Sequence, residues 1–170
     1  MGRVESNGAF TLTGLLGSRV IRVSGLPQEW MLQSITVNGA DIADRMLEFT
    51  GNQELRGARV TVTDRVTEVN GSAATGNQPA LDYTVVVFPE DSAKWKFPSR
   101  FVRSGRPDQK GLFRIRALPP DDRYLAVAVD YVEEGEAGDP EFLEQIRASA
   151  TRFALGEGET RALELRLVQR

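Results

Sequence analysis

The chain has 170 residues, 41% of them hydrophobic and 26% charged, which suits one large or two small soluble domains with a sizeable core. A net charge of −3 gives no electrostatic reason to expect a nucleic-acid partner. The absence of histidine and cysteine excludes disulfides, thiolate metal sites and Ser-His or Cys-His catalysis.

Taken in order, residues 9–13 and 18–24 read as a strand pair, with Gly14 and Gly17 in the turn and Gly25-Leu26-Pro27 as the stop. Residues 30–37 form a third strand, and Asn38-Gly39 is a turn signal that reverses the chain before Ile42. In residues 57–65, Val60 and Val62 alternate with Thr61 and Thr63, a strand that closes a first unit spanning 1–66. A second unit, 67–170, opens with a strand from Thr67 to Ala73, and the small polar stretch from Gly71 to Ala80 reads as a hairpin or loop. Asp82 to Phe88 is the next strand, stopped by Pro89, and residues 99–104 form a short one before the turn at Pro107.

The centre of the second unit is residues 111–132. Phe113 and Ile115 alternate with Arg114 and Arg116, which predicts a strand with one buried face and its arginines in water. Pro119, Pro120, Asp121 and Asp122 force a turn, because proline cannot donate to a ladder and aspartate side chains take up turn amides. The run from Tyr124 to Val132 is apolar except at Asp130, the pattern of a central strand covered on both faces. A helix is predicted over 140–150. Asp139 caps it, Pro140 suits its first position, Glu141 complements its dipole, and Phe142, Ile146 and Ala150 form its apolar stripe. After Gly156 to Gly158, Leu163, Leu165 and Leu167 alternate with Glu164 and Arg166 in a final strand.

Gly8, Phe10, Leu12, Leu15 and Arg19 match the spacing of Gly111, Phe113, Ile115, Leu118 and Arg123 to within one residue, which predicts two related β units in tandem. The motif G-x-F-x-I-x-x-L-P-P at 111–120, followed by R-Y-L-A-V-A-V at 123–129, resembles the transthyretin-like, carboxypeptidase-regulatory-like domains of bacterial proteins. Asp108 to Gly111 fits that family's D-x-x-G turn, whereas Asp122 stands where its L-P-P-G-x-Y turn has glycine. The resemblance implies an all-β fold of tandem sandwich units, the first incomplete, in a larger secreted or cell-envelope protein.

Two clusters are candidates for chemistry. Glu133, Glu134, Glu136, Asp139 and Glu141 offer oxygen ligands for calcium, but without the ordered spacing of a calcium loop they read as a solvated loop and a cap, so no metal or cofactor is assigned. In KWKFPSRFVRSGR, residues 94–106, Trp95, Phe97 and Phe101 interleave with Lys94, Lys96, Arg100, Arg103 and Arg106. The odd separation of Arg100 and Arg103 puts them on opposite strand faces, which disfavours a nucleic-acid stripe. Trp95, Arg100 and Arg103 are the candidate ligand-binding residues, with Trp95 or Trp30 a stacking face for a carbohydrate if exposed. No stretch approaches the roughly 20 apolar residues that span a bilayer, and polar sequence follows Met1-Gly2-Arg3.

Of three readings, a non-catalytic interaction module, a carbohydrate-binding module and a carboxylate-dependent enzyme, the residues favour the first. It is expected to be a compact monomer that contacts other domains of its parent protein, or a protein partner, through a β-edge. The open edge is expected on the first unit, with Val66, Thr67 and Val69 continuing as a strand into the second.

Overall fold

The computed structural model describes residues 2–51, 55–96 and 98–170. The strands are β1 (Gly17–Arg19), β2 (Met31–Val37), β3 (Ala40–Asp41), β4 (Leu47–Phe49), β5 (Arg59–Thr63), β6 (Glu68–Thr75), β7 (Gln78–Pro79), β8 (Thr84–Pro89), β9 (Arg103–Gly105), β10 (Leu112–Arg116), β11 (Asp121–Val129), β12 (Thr151–Leu155) and β13 (Thr160–Val168). One α-helix, α1 (Pro140–Arg147), lies between β11 and β12. Strands hold 41% of the chain and helix 9%, so the fold is all-β with one short helix, as the alternation patterns predict. The chain divides into two compact units, Met1–Gly25 with Gln33–Thr61 and Leu26–Leu32 with Val62–Arg170.

In the first unit β1 pairs antiparallel with β4, and the sheet order β3-β2-β5 includes the β2–β3 hairpin. Asn38 and Gly39 both take left-handed conformations, φ 50° and 79°, the backbone a tight two-residue turn demands. Asp41 Oδ1 then accepts from the amides of Ala43 and Ile35 at 2.9 and 3.3 Å and fixes the chain after the hairpin. The strand pair expected at 9–13 and 18–24 does not form. Residues 9–13 hold only an isolated bridge, Val4 to Phe10, and β1 pairs across 30 residues with β4 instead. Phe10 and Leu12 are half-buried, so they lack the tight burial of Phe113 and Ile115 that would have made them a structural repeat of β10. Matching spacing alone cannot form a strand without a neighbour to receive its ladder.

The second unit is a sandwich-like pair of layers. In one, β10 pairs antiparallel with β6, which pairs parallel with β13. In the other, β11 pairs antiparallel with β8 and β12, and β8 with β9. The layers join where the end of β13 leaves β6 and meets β11 at Ala128↔Leu167 and Val129↔Val168. Between them lie Val69, Phe113, Ile115, Leu163 and Leu165 from the first layer and Val85, Val87, Tyr124, Ala126, Ala128 and Phe153 from the second.

The alternate residues of β8 and β11, Val86, Phe88, Leu125, Val127 and Val129, face the other way and pack on Phe142, Leu143 and Ile146 of α1 and on Trp95. This double burial explains the unbroken apolar run of β11. The Asp139 cap accepts from Glu141 N at 2.9 Å and Pro140 occupies the first turn, as the sequence predicts.

Four boundaries differ from expectation. The strand opening the unit continues through Gly71 to Thr75, because Gly71 allows a close approach: a Cβ there would lie 1.8 Å from Leu163 O. The strand expected at 99–104 is confined to Arg103–Gly105, because Ser99 is tied back to Lys94 O at 2.6 Å. The helix ends at Arg147 rather than at residue 150, and the chain forms β12 directly afterwards, a strand the sequence reading omitted. In the turn before β11 the left-handed residue is Ala117, φ 59°.

Candidate interaction surface of the second unit

The family-like turns are structural anchors. Asp108 Oδ1 accepts from Lys110 N and Leu112 N at 2.9 and 3.0 Å, which holds its carboxyl below the usual carboxylate range. Gly111 closes that turn at φ +78°, where a Cβ would meet Ala80 O at 2.6 Å. The buried Tyr83 hydroxyl donates to Gly111 O at 2.8 Å. After the second turn, Tyr124 donates back to Pro119 O at 2.8 Å and stacks on Phe153 with ring centroids 5.6 Å apart. The L-P-P…Y motif is thus a tyrosine that clamps the proline turn from inside the core. Thr67, fully buried, donates to Leu118 O at 2.6 Å and ties β6 to the same turn.

The cluster at 94–106 is taken up by packing. Trp95 is 2% exposed, donates through Nε1 to Pro89 O at 2.7 Å and meets Phe88 edge-on, so it belongs to the core and presents no stacking face for a sugar. Arg100 donates to Leu32 O at 3.2 Å and lies over the Phe101 ring, 5.4 Å from its centroid. Lys94 covers the same ring at 5.0 Å and pairs with Asp121. Arg103 is exposed at the start of β9, so the structure does not gather Trp95, Arg100 and Arg103 into one binding face. Phe97 lies outside the described residues. Trp30 is 39% exposed.

The acidic stretch is likewise engaged. Glu136 makes a two-pronged pair with Arg170, both contacts at 2.8 Å, and accepts from Glu133 N, and together these hold its carboxyl below the usual range. The Arg170 guanidinium also covers Phe142 at 4.7 Å. Among the described residues no group of three or more carboxylates is arranged to hold a metal ion. On the outer face of β6 and β10, Glu68 is bound by Arg114 and Asn70 and lies 3.4 Å from Arg116 Nε. The Arg114 hydrogen bond is the largest cause of its lowered pKa.

The feature left open is a strand edge. Within its layer β12 pairs with β11 only, so among the described residues its other side carries no ladder. Phe153 and Leu155 point into the core, while Thr151, Arg152 and Ala154 are exposed. The register Leu125↔Arg152 puts Arg152 on the face covered by α1. There a cleft of about 320 Å³ opens between β12 and the end of the helix, lined by Leu125, Glu144, Arg147, Ala148, Ala150 and Arg152. Arg152 pairs with Glu90 at 3.2 Å and Arg147 with Glu144 at 3.2 Å. The sequence signal for this edge is the short alternation of Phe153 and Leu155 with Arg152 and Ala154, hidden by the helical pattern that runs into it.

The chain matches no protein-family profile and no curated protein. Among solved structures it is similar to the Bacillus anthracis TIE protein at 12% identity and a TM-score of 0.30, over 80% of this chain and 22% of that one. A likeness at this level carries no argument.

Proposed function

We propose that the chain is a non-catalytic interaction module of a larger secreted or cell-envelope protein, related to the transthyretin-like, carboxypeptidase-regulatory-like domains, and that it accepts a partner's strand at the edge of its sandwich. The open side of β12 carries this reading: an edge strand offers backbone donors and acceptors that an added strand satisfies. The other edges of the second unit are blunted. β9 has three residues, and β10 carries Arg114 and Arg116 and lies close to β9, with the Gly105 Cβ position 3.6 Å from Ile115 Cγ1. The charged side chains of the candidate clusters serve packing, pairing and capping, which supports a binding rather than a chemical role.

The chain contains no cysteine, so Ala154→Cys gives a unique attachment point for a photocrosslinker at the β12 edge. In its native envelope or secreted setting, this variant is expected to cross-link to an identified extended segment of another domain or protein. An Arg106→Cys control should not. Equal labelling from both positions, or none from Ala154→Cys, contradicts the reading.

A further inference from the structure

The open edge and the cleft beside it together specify the chemistry of the strand they accept. A strand laid along β12 alternates like β12 itself. Its inward side chains continue the row of Phe153 and Leu155 at the margin of the core, so those positions call for β-branched or other apolar residues. Its outward side chains stand beside Arg152, over the cleft that ends at Ala148 and Arg147. Arg152 is 77% exposed even while paired with Glu90, and a guanidinium carries five N–H donors in a planar fork, so a second carboxylate can reach it from the solvent side. Glu144 on the cleft rim is already met by Arg147 at 3.2 Å, which limits its repulsion of an incoming acid. A basic strand, by contrast, would set like charges opposite Arg152.

Resting on the strand-addition reading above, we propose that the β12 edge selects an extended segment in which apolar residues alternate with acidic ones, the acids facing Arg152. Arg152 then has two roles. It blunts the edge against indiscriminate pairing and supplies the specificity for the right partner.

The test uses the full chain and two labelled, end-blocked peptides, Val-Glu-Val-Glu-Val-Glu-Val and Val-Lys-Val-Lys-Val-Lys-Val, read by fluorescence anisotropy. The acidic peptide should bind about tenfold more tightly than the basic one and protect the amides of Thr151–Leu155 from hydrogen exchange. Arg152→Glu, an exposed change whose folding is checked by its melting curve, should reverse the preference. Equal binding of both peptides, no binding of either, a preference untouched by Arg152→Glu, or protection confined to other strands overturns the proposal. A cross-link from Ala154→Cys to a segment without acidic residues would leave strand addition standing while removing this specificity.

Discussion

Glu68, Asp108 and Glu136 each hold a carboxylate whose pKa lies below its ordinary value, and each does so through a bond that also fixes a strand, a turn or the helix approach. Because the folded value is the lower one, each contributes stability fully present above its unfolded pKa, near 4 for these groups. That contribution is lost as pH falls through the folded value. The melting temperature is therefore expected to be flat from about pH 7 to about pH 5 and to fall below about pH 4, with Glu68→Gln reducing part of the acid dependence. A Glu68→Gln protein whose melting temperature tracks the parent at every pH would show that the Arg114 bond carries no linkage. Val127, 1% exposed between β11 and α1, sets the opposite kind of demand. Val127→Asp would bury a charge in an apolar layer at a cost of several kcal/mol, enough to unfold a marginal domain, and a thermal melt unchanged by it would contradict the packing.

At the scale of elements, what was legible in the sequence was what local chemistry decides. The Asn38-Gly39 hairpin, the Asp139 cap, the double-faced β11 and the alternation of β10 and β13 all follow from residues whose patterns or backbone preferences leave one outcome. Asp139→Ala should accordingly lower the urea midpoint by the equivalent of about 1 kcal/mol, and an unchanged midpoint would speak against the cap. What was not legible depended on partners distant in the chain. β1 exists because β4 receives it, the apparent repeat at 8–19 has no such neighbour, and β12 hides behind a helix whose pattern overlaps its start. Gly71 was read as a loop residue, yet it is the point where β6 must approach β13 most closely. Gly71→Ala should separate those strands and cost at least about 3 kcal/mol by chemical denaturation. The candidate site failed for a related reason: interleaved aromatics and cations suggest a surface, but Trp95 is drawn into the core by Phe88 and the Pro89 carbonyl.

At the scale of the whole molecule, the second unit is not a continuous segment. It recruits Leu26–Leu32, whose Leu32 carbonyl binds Arg100 and whose Met31 sulfur lies 4.0 Å from Thr67 Oγ1. A fragment beginning at residue 62 is therefore expected to melt several degrees below the full chain, since about 1 kcal/mol of lost contact shifts a domain of this size by that much. Coincident melts would mean that segment 26–32 contributes nothing. The central claim, that the sandwich keeps one edge ready for a partner strand, is tested most directly by native-state hydrogen exchange of the chain alone, resolved to single amides. The account predicts that alternate amides of Thr151–Leu155, those turned away from β11, exchange with little protection while the amides of β11 exchange only on global unfolding. Uniform strong protection along β12 would contradict it, because its outer side would then already be covered.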